Sequence, residues 1–233
     1  MSTIVAVAVA GNKLLTTFIA AQNMRRAGVF DGVVIFNTLV RFKFKLFGID
    51  FIPLKRKLDW KDYNKFVLRE LVHWMGLYNE QFTHACIFQY DGFVKNPSQF
   101  LNEFLDYDYI GAPFPIAPPK LEHFLREDDT QVDVGNGGFS LRSKNLLLAV
   151  SELANELPEN NAFINEDGII CKIMYRSLMA RGMVFADRSL AARFSVEDFE
   201  TELEYGEVSF GFHGKSILKR RYPIRFFLQW IGF

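Results

Sequence analysis

The chain has 233 residues, 27 lysines and arginines against 27 aspartates and glutamates, and 49% hydrophobic side chains. That combination fits one globular domain with a substantial core, and the zero net charge argues against nucleic-acid binding through bulk charge. The two cysteines, Cys86 and Cys171, sit in apolar runs and read as buried, reduced thiols of a cytoplasmic protein rather than a disulfide framework. No CxxC pair or HExxH motif offers a zinc site. The N-terminus lacks the charged start and apolar core of a signal peptide, and no apolar run has transmembrane length.

Ile4 to Ala10 is a continuous β-branched and alanine run, as expected of a strand buried on both faces. Gly11 and Asn12 break it, and Asn12 is placed to cap a helix through about Ala27, with Gly28 just past its end. Val33 to Phe36 is a second buried strand. This opening predicts a parallel α/β sheet whose first turn borders a crevice at the carboxyl ends of the strands. Asp59 reads as the cap of a long helix with an apolar stripe at Tyr63, Phe66, Val67, Leu71 and Trp74.

Ala85 to Phe88 is another buried strand, delivering Gln89, Tyr90 and Asp91 at its carboxyl end. Asp91-Gly92 has hairpin-turn chemistry, and an α/β sheet also presents metal-binding carboxylates at such a place. Asn96-Pro97 opens a short helix, Tyr109 to Ala112 a strand, and the segment from there to Asp133 reads as irregular loop. Met183 to Ala186 and Ala191 to Val196 read as short strands.

The stretch that stands out runs from Val134 to Asp167. VGNGGFSLRS puts three glycines, Gly135, Gly137 and Gly138, within four positions. They allow positive φ and the approach of a ligand without a Cβ in the way. Ser143 then caps a helix to about Leu157, and Asn165 caps the next, with Glu166 and Asp167 in its first turn. A backbone floor beneath a carboxylate suits a polar small molecule such as a sugar; the plainer reading is a glycine turn and a capped helix.

Taken together, QYDGF, YDYIGAP, VGNGGFSLRS, NED, LAARFSVE and SFGFHG resemble a bacterial glycosyltransferase-like family of uncharacterised domains, from the first strand to about His213. The resemblance implies an α/β, single-domain glycosyltransferase-A fold with a mostly parallel central sheet flanked by helices. The domain would cover residues 1–214, followed by a basic-aromatic tail at 215–233. It is similar, more distantly, to inverting beta-1,3-glycosyltransferases, which share a Gly-Gly segment followed by an acid pair heading a helix.

That likeness implies several roles. The triplet Gln89-Tyr90-Asp91 stands where the fold has an Asp-x-Asp metal motif, so Asp91 is kept as a ligand and Gln89 is a departure that weakens metal binding. His213 resembles a further metal ligand, which favours manganese, with magnesium as the alternative. Asp167 would be the general base, with Glu166 as its substitute. Gly137, Gly138 and Phe139 would wall the sugar pocket, and Ala10, Gly11 and Asn12 would lie near the nucleotide. Arg142 could face a diphosphate or form a solvent-facing salt bridge. The implied partners are a nucleotide-sugar donor and a glycan or lipid-linked glycan acceptor. The implied setting is bacterial surface polysaccharide or lipopolysaccharide synthesis in the cytoplasm, at the inner face of the membrane. A non-catalytic glycan- or nucleotide-binding module and a nucleotidyltransferase are the competing readings; Gln89 supports the first.

Charge is blocked locally. Arg41 to Lys57 holds six basic residues and one acid, Glu197 to Glu207 six acids, and Lys215 to Arg225 five basic residues. The first and last blocks interleave cations with large apolar groups. The first is expected to pack its aromatics against the sheet. The tail either does the same or lies in a membrane interface.

Overall fold

The computed structural model describes residues 2–11, 13–56, 58–114, 134–156 and 165–223. Strand β1 (Ile4–Ala10) runs up the centre of a seven-stranded sheet. Ile4, Ala6, Ala8 and Ala10 enter one core and Val5 and Val7 the other, as period-2 geometry requires of a strand buried on both sides. Helix α1 (Leu14–Arg26) follows and ends at Gly28, whose φ of +70° is the left-handed conformation that glycine adopts without a Cβ penalty. Asn12 lies outside the described residues.

Strand β2 (Gly32–Asn37) returns beside β1, and the hairpin of β3 (Phe44–Leu46) and β4 (Ile49–Pro53) forms the outer edge. Asp59 caps α2 (Trp60–Lys65) by accepting from the Asp62 N–H at 2.9 Å. A π-helical segment at Phe66–Glu70 joins α2 to α3 (Leu71–Tyr78). The predicted stripe is buried at Phe66, Val67 and Leu71 and covers one face of the sheet.

Next come β5 (His84–Phe88), β6 (Gly92–Val94), two 3-10 turns and β7 (Tyr109–Gly111). Strand β8 (Phe139–Ser143) follows the glycine run, and Ser143 Oγ caps α4 (Lys144–Glu156) by accepting from the Leu146 N–H at 3.0 Å. Helix α5 (Glu166–Gly168) leads through a second π-helical segment, Ile169–Ile173, into α6 (Tyr175–Ala180). Then come α7 (Arg188–Phe194), β9 (Ser195–Val196), α8 (Phe199–Tyr205), β10 (Gly211–His213) and α9 (Lys215–Arg221).

The main sheet has the order β3-β4-β2-β1-β5-β8-β7. It is mixed, not mostly parallel. The pairings β1-β2, β1-β5 and β2-β4 are parallel, whereas β3-β4, β5-β8 and β7-β8 are antiparallel. The strands added beyond β5 close the sheet without the crossover helices that parallel strands need.

Three local expectations are corrected. Asp91-Gly92 turns the chain out of the main sheet rather than making a hairpin, and β6 joins a second, three-stranded sheet of order β6-β10-β9. Residues 188–194 are helical, because Asp187 caps them by accepting from the Leu190 N–H at 2.9 Å. Phe185 makes only an isolated bridge to Tyr109.

Both cysteines are free and buried, and burial pushes each thiol well above its ordinary range. Among the described residues, no helix is long and apolar enough to cross a membrane. Residues 215–221 form α9, which buries Ile217 and Leu218, while Tyr222 stacks on Phe212; the remainder of the tail, from 224, lies outside the described residues.

Candidate functional site

A cleft of about 440 Å³ opens at the carboxyl ends of β1 and β5. Ala10, Gly11, Gln89, Tyr90, Gly138, Glu166, Asp167 and His213 all line it. The sheet thereby assembles residues spread over 204 positions of sequence into one concavity of the size that ordinarily holds a small ligand.

The small sheet builds one wall. Antiparallel pairing sets His213 opposite Gly92, next to Asp91, and parallel pairing of β10 with β9 brings His213 beside Glu197. His213 Nε2 lies 3.3 Å from Asp91 Oδ1, and His213 Nδ1 lies 3.0 Å from Glu197 Oε1. Burial works against a charged imidazole here, but the two carboxylates outweigh it and hold its pKa up at about 10. Burial also pushes the Asp91 carboxyl up, but His213 on balance draws it below the usual carboxylate range. The 3.3 Å contact is an ion pair without hydrogen-bond alignment: Asp91 Oδ1 and His213 Nε2 are buried atoms with no aligned partner.

The glycine run and the acid pair build the opposite wall. Asp167 Oδ2 accepts from the Gly137 N–H at 2.8 Å, and Oδ1 from the Gly168 N–H at 2.7 Å. Burial and the neighbouring Glu166 charge push the Asp167 carboxyl up to about 7, against the pull of those two N–H groups. Glu166 is engaged differently. Its Oε1 takes the Arg142 guanidinium at 2.9 Å, and the Arg142 side chain is wholly buried. Arg142 thus forms neither a surface salt bridge nor a contact open to the cleft; it is also held by Ser140 Oγ at 3.1 Å and by the Tyr109 ring at 5.1 Å.

The glycines act through space rather than through φ. None of Gly135, Gly137 or Gly138 is left-handed. A Cβ on Gly137 would lie 2.4 Å from Glu166 Oε1, and one on Gly138 would lie 2.1 Å from His213 Nε2. Only glycine lets the two walls close this tightly. Gly137 therefore lies under the acid pair, and Gly138 lines the cleft. Phe139 does not: it is fully buried, against Phe194 and Phe210, and supports the floor from below.

Several cleft residues had no signal in the sequence. Glu197 heads the acidic block of residues 197–207, and nothing in its sequence neighbourhood marks it out. Trp60, half-exposed at the rim, donates its indole N–H to Asn165 Oδ1 at 3.0 Å. Asn165 stands at the N-cap of α5, yet its side chain caps nothing there. Tyr63 accepts from the Gln89 amide at 3.3 Å, and Lys13 Nζ sits 3.7 Å from the centre of the Tyr90 ring. Lys13 thus adds a positive charge at the Tyr90 end of the cleft.

A divalent cation held by Asp91 and His213 would have to take the place of the proton that the two carboxylates keep on the imidazole. Two buried, unaligned donor atoms face each other, and Glu197 fixes the imidazole from its far side, as outer-sphere carboxylates do for metal-bound histidines. Among the described residues no cluster of three or more such ligands forms.

The fold resembles that in a crystal structure of a glycosyltransferase involved in the glycosylation of the major capsid of PBCV-1. The TM-score is 0.53 at 12% sequence identity, covering 91% of this chain and 93% of that one. At that identity the likeness is one of fold: this is a glycosyltransferase-like α/β fold. No curated protein matches the sequence. A family model described as "Protein of unknown function (DUF5672)" matches residues 48–213, well over half of the chain and all of the cleft except its β1 side, and the chain belongs to that family.

Proposed function

We propose that the protein is a glycosyltransferase that moves one sugar from a nucleotide-sugar donor to a hydroxyl of a glycan, with inversion. The observation that carries this reading is that Asp167 and His213 line one cleft, with Asp91 buried 3.3 Å behind His213. Asp167 takes the proton from the acceptor hydroxyl as that oxygen attacks the anomeric carbon. A carboxylate with a pKa near 7 is a stronger base than an ordinary aspartate and is about half ionised at neutral pH. The Gly137 and Gly168 N–H groups fix its two oxygens and leave a lone pair on each for the hydroxyl. Glu166, neutralised by Arg142, positions the helix start and does not share that role.

Asp91 and His213 would hold a divalent cation, manganese before magnesium, which when bound stabilises negative charge on the departing diphosphate. Two protein ligands suit a cation that is shared with substrate phosphates. Lys13, at the same end, adds positive charge where Gln89 replaces a carboxylate.

The test is nucleotide release from a panel of UDP-, GDP-, dTDP- and CMP-sugars with manganese. Release from one donor, abolished by EDTA and by Asp91→Ala, supports the reading. A panel without release and without a thermal shift from any nucleotide removes the donor site.

A further inference from the structure

The outer edge of the main sheet carries a surface that the cleft does not use. Leu39, Phe42, Leu46 and Phe47 are 60%, 72%, 43% and 67% exposed. The expectation that this segment packs its aromatics inward holds for Phe51, which is buried, and for Phe44, which stacks on it at 4.5 Å. From that anchor, aromatic contacts lead outward. Phe42 lies 6.0 Å from Phe44, and Phe18 links Phe51 at 5.9 Å to Phe47 at 6.3 Å.

Phe47 has a φ of +49°, and it is the described non-glycine residue with positive φ. A bulky side chain there is strained, and asparagine or glycine would suit the turn better. Folding gains little from a ring that is two-thirds exposed, so the strain holds an apolar group outward at the hairpin tip.

Cations alternate with these groups. Arg41, Lys43 and Lys45 are exposed on the same segment, with Lys45 also 3.2 Å from Asp50. Arg25 lies against the tip, its Cδ 2.9 Å from where a Cβ on Gly48 would stand. Lysines on an edge strand disfavour pairing with another strand, so a second copy added edge to edge is a poor occupant. Exposed rings set among cations match the boundary of a bilayer, with the rings below anionic headgroups and the cations among them. The loop that leads from β2 to this edge starts beside the cleft, where the Thr38 hydroxyl donates to the Gly11 carbonyl at 3.3 Å.

We propose that strand β3 and the Phe47 tip dock on an anionic lipid surface. The test is co-sedimentation of the full chain with vesicles of phosphatidylcholine alone, or with a third phosphatidylglycerol, at low and high salt. The expected result is binding to the anionic vesicles that salt weakens, with little binding to the neutral ones. Lys43→Glu should weaken it by about fivefold or more, the effect of one cation near a charged surface. Phe42→Ser combined with Phe47→Asn should abolish it. Phe47→Asn alone should weaken binding while leaving the melting temperature unchanged or higher, because asparagine accepts the left-handed turn. Absence of binding, equal binding to neutral vesicles, or binding that survives the double substitution would overturn the proposal. So would a dimer in light scattering that the double substitution dissociates, which would assign the surface to a second copy of the chain.

Discussion

The Gly137 N–H donates to Asp167 Oδ2 at 2.8 Å, and the next residue, Gly138, has no room for a side chain because His213 Nε2 would lie 2.1 Å from its Cβ. Two consecutive glycines therefore join the acid wall of the cleft to the histidine wall. A methyl group at either position has to displace one of them.

Gly137→Ala meets two buried partners, Glu166 Oε1 at 2.4 Å and Arg142 Nη2 at 2.8 Å, and neither is free to swing away. Overpacking of this kind costs about 1–3 kcal/mol, or roughly 2–10 °C in melting temperature for a chain of this size. Gly138→Ala presses on His213 and should chiefly weaken manganese binding. Thermal unfolding of the first variant and a manganese titration of the second check the two expectations.

Asp167 makes stability and activity respond oppositely to pH. Its carboxyl is raised from an ordinary 3.8 to about 7, so the folded state binds the extra proton between those values. Stability associated with this group is present below pH 4 and is lost as pH rises through 7. Transfer needs the ionised form and should rise over the same range to a plateau. Asp167→Asn should therefore shift the melting temperature, relative to wild type, more favourably at pH 8 than at pH 5. Melting curves of both proteins at the two pH values measure this.

Glu166 and Arg142 form a buried pair. Arg142→Met leaves the Glu166 carboxylate uncompensated, and breaking such a pair costs about 3–5 kcal/mol. Urea unfolding of Arg142→Met should show that loss. A variant with wild-type stability would mean that the pair does not hold the acid helix in place.

Glu197 would act on the proposed cation through His213 Nδ1, 3.0 Å from its Oε1. Glu197→Gln should lower manganese affinity by about 10- to 100-fold, the usual effect of removing a partner behind a metal-bound histidine. Calorimetric titration with manganese would show it; unchanged affinity would place the cation elsewhere.

Much of this arrangement was legible in the sequence where local chemistry decides it. The β-branched run of β1 and the Asp59 and Ser143 caps each depend on a few adjacent residues. What was not legible depends on pairing across the chain. Glu197 becomes part of the site only because β9 lies beside β10, and nothing near it in sequence points there. Alternation along β8 left Arg142 facing either a diphosphate or solvent. Both faces of that strand are covered, so Arg142 is buried and needs Glu166. The same coverage places Phe139 in the core instead of the pocket wall. Of the strand expected over Ala191 to Val196, only Ser195–Val196 is extended, because the Asp187 cap starts a helix that runs through Phe194.

The most direct test of the account is to compare wild type with Asp167→Asn for both donor binding and sugar transfer, using the donor that the nucleotide-release panel selects. The account predicts donor affinity within about threefold of wild type and a loss of transfer of about 10²–10⁴-fold, the range of a general base. Transfer by Asp167→Asn at the wild-type rate would contradict Asp167 as the base. Tight nucleotide-sugar binding by both proteins, with transfer by neither to any acceptor offered, would make the cleft a binding site without turnover.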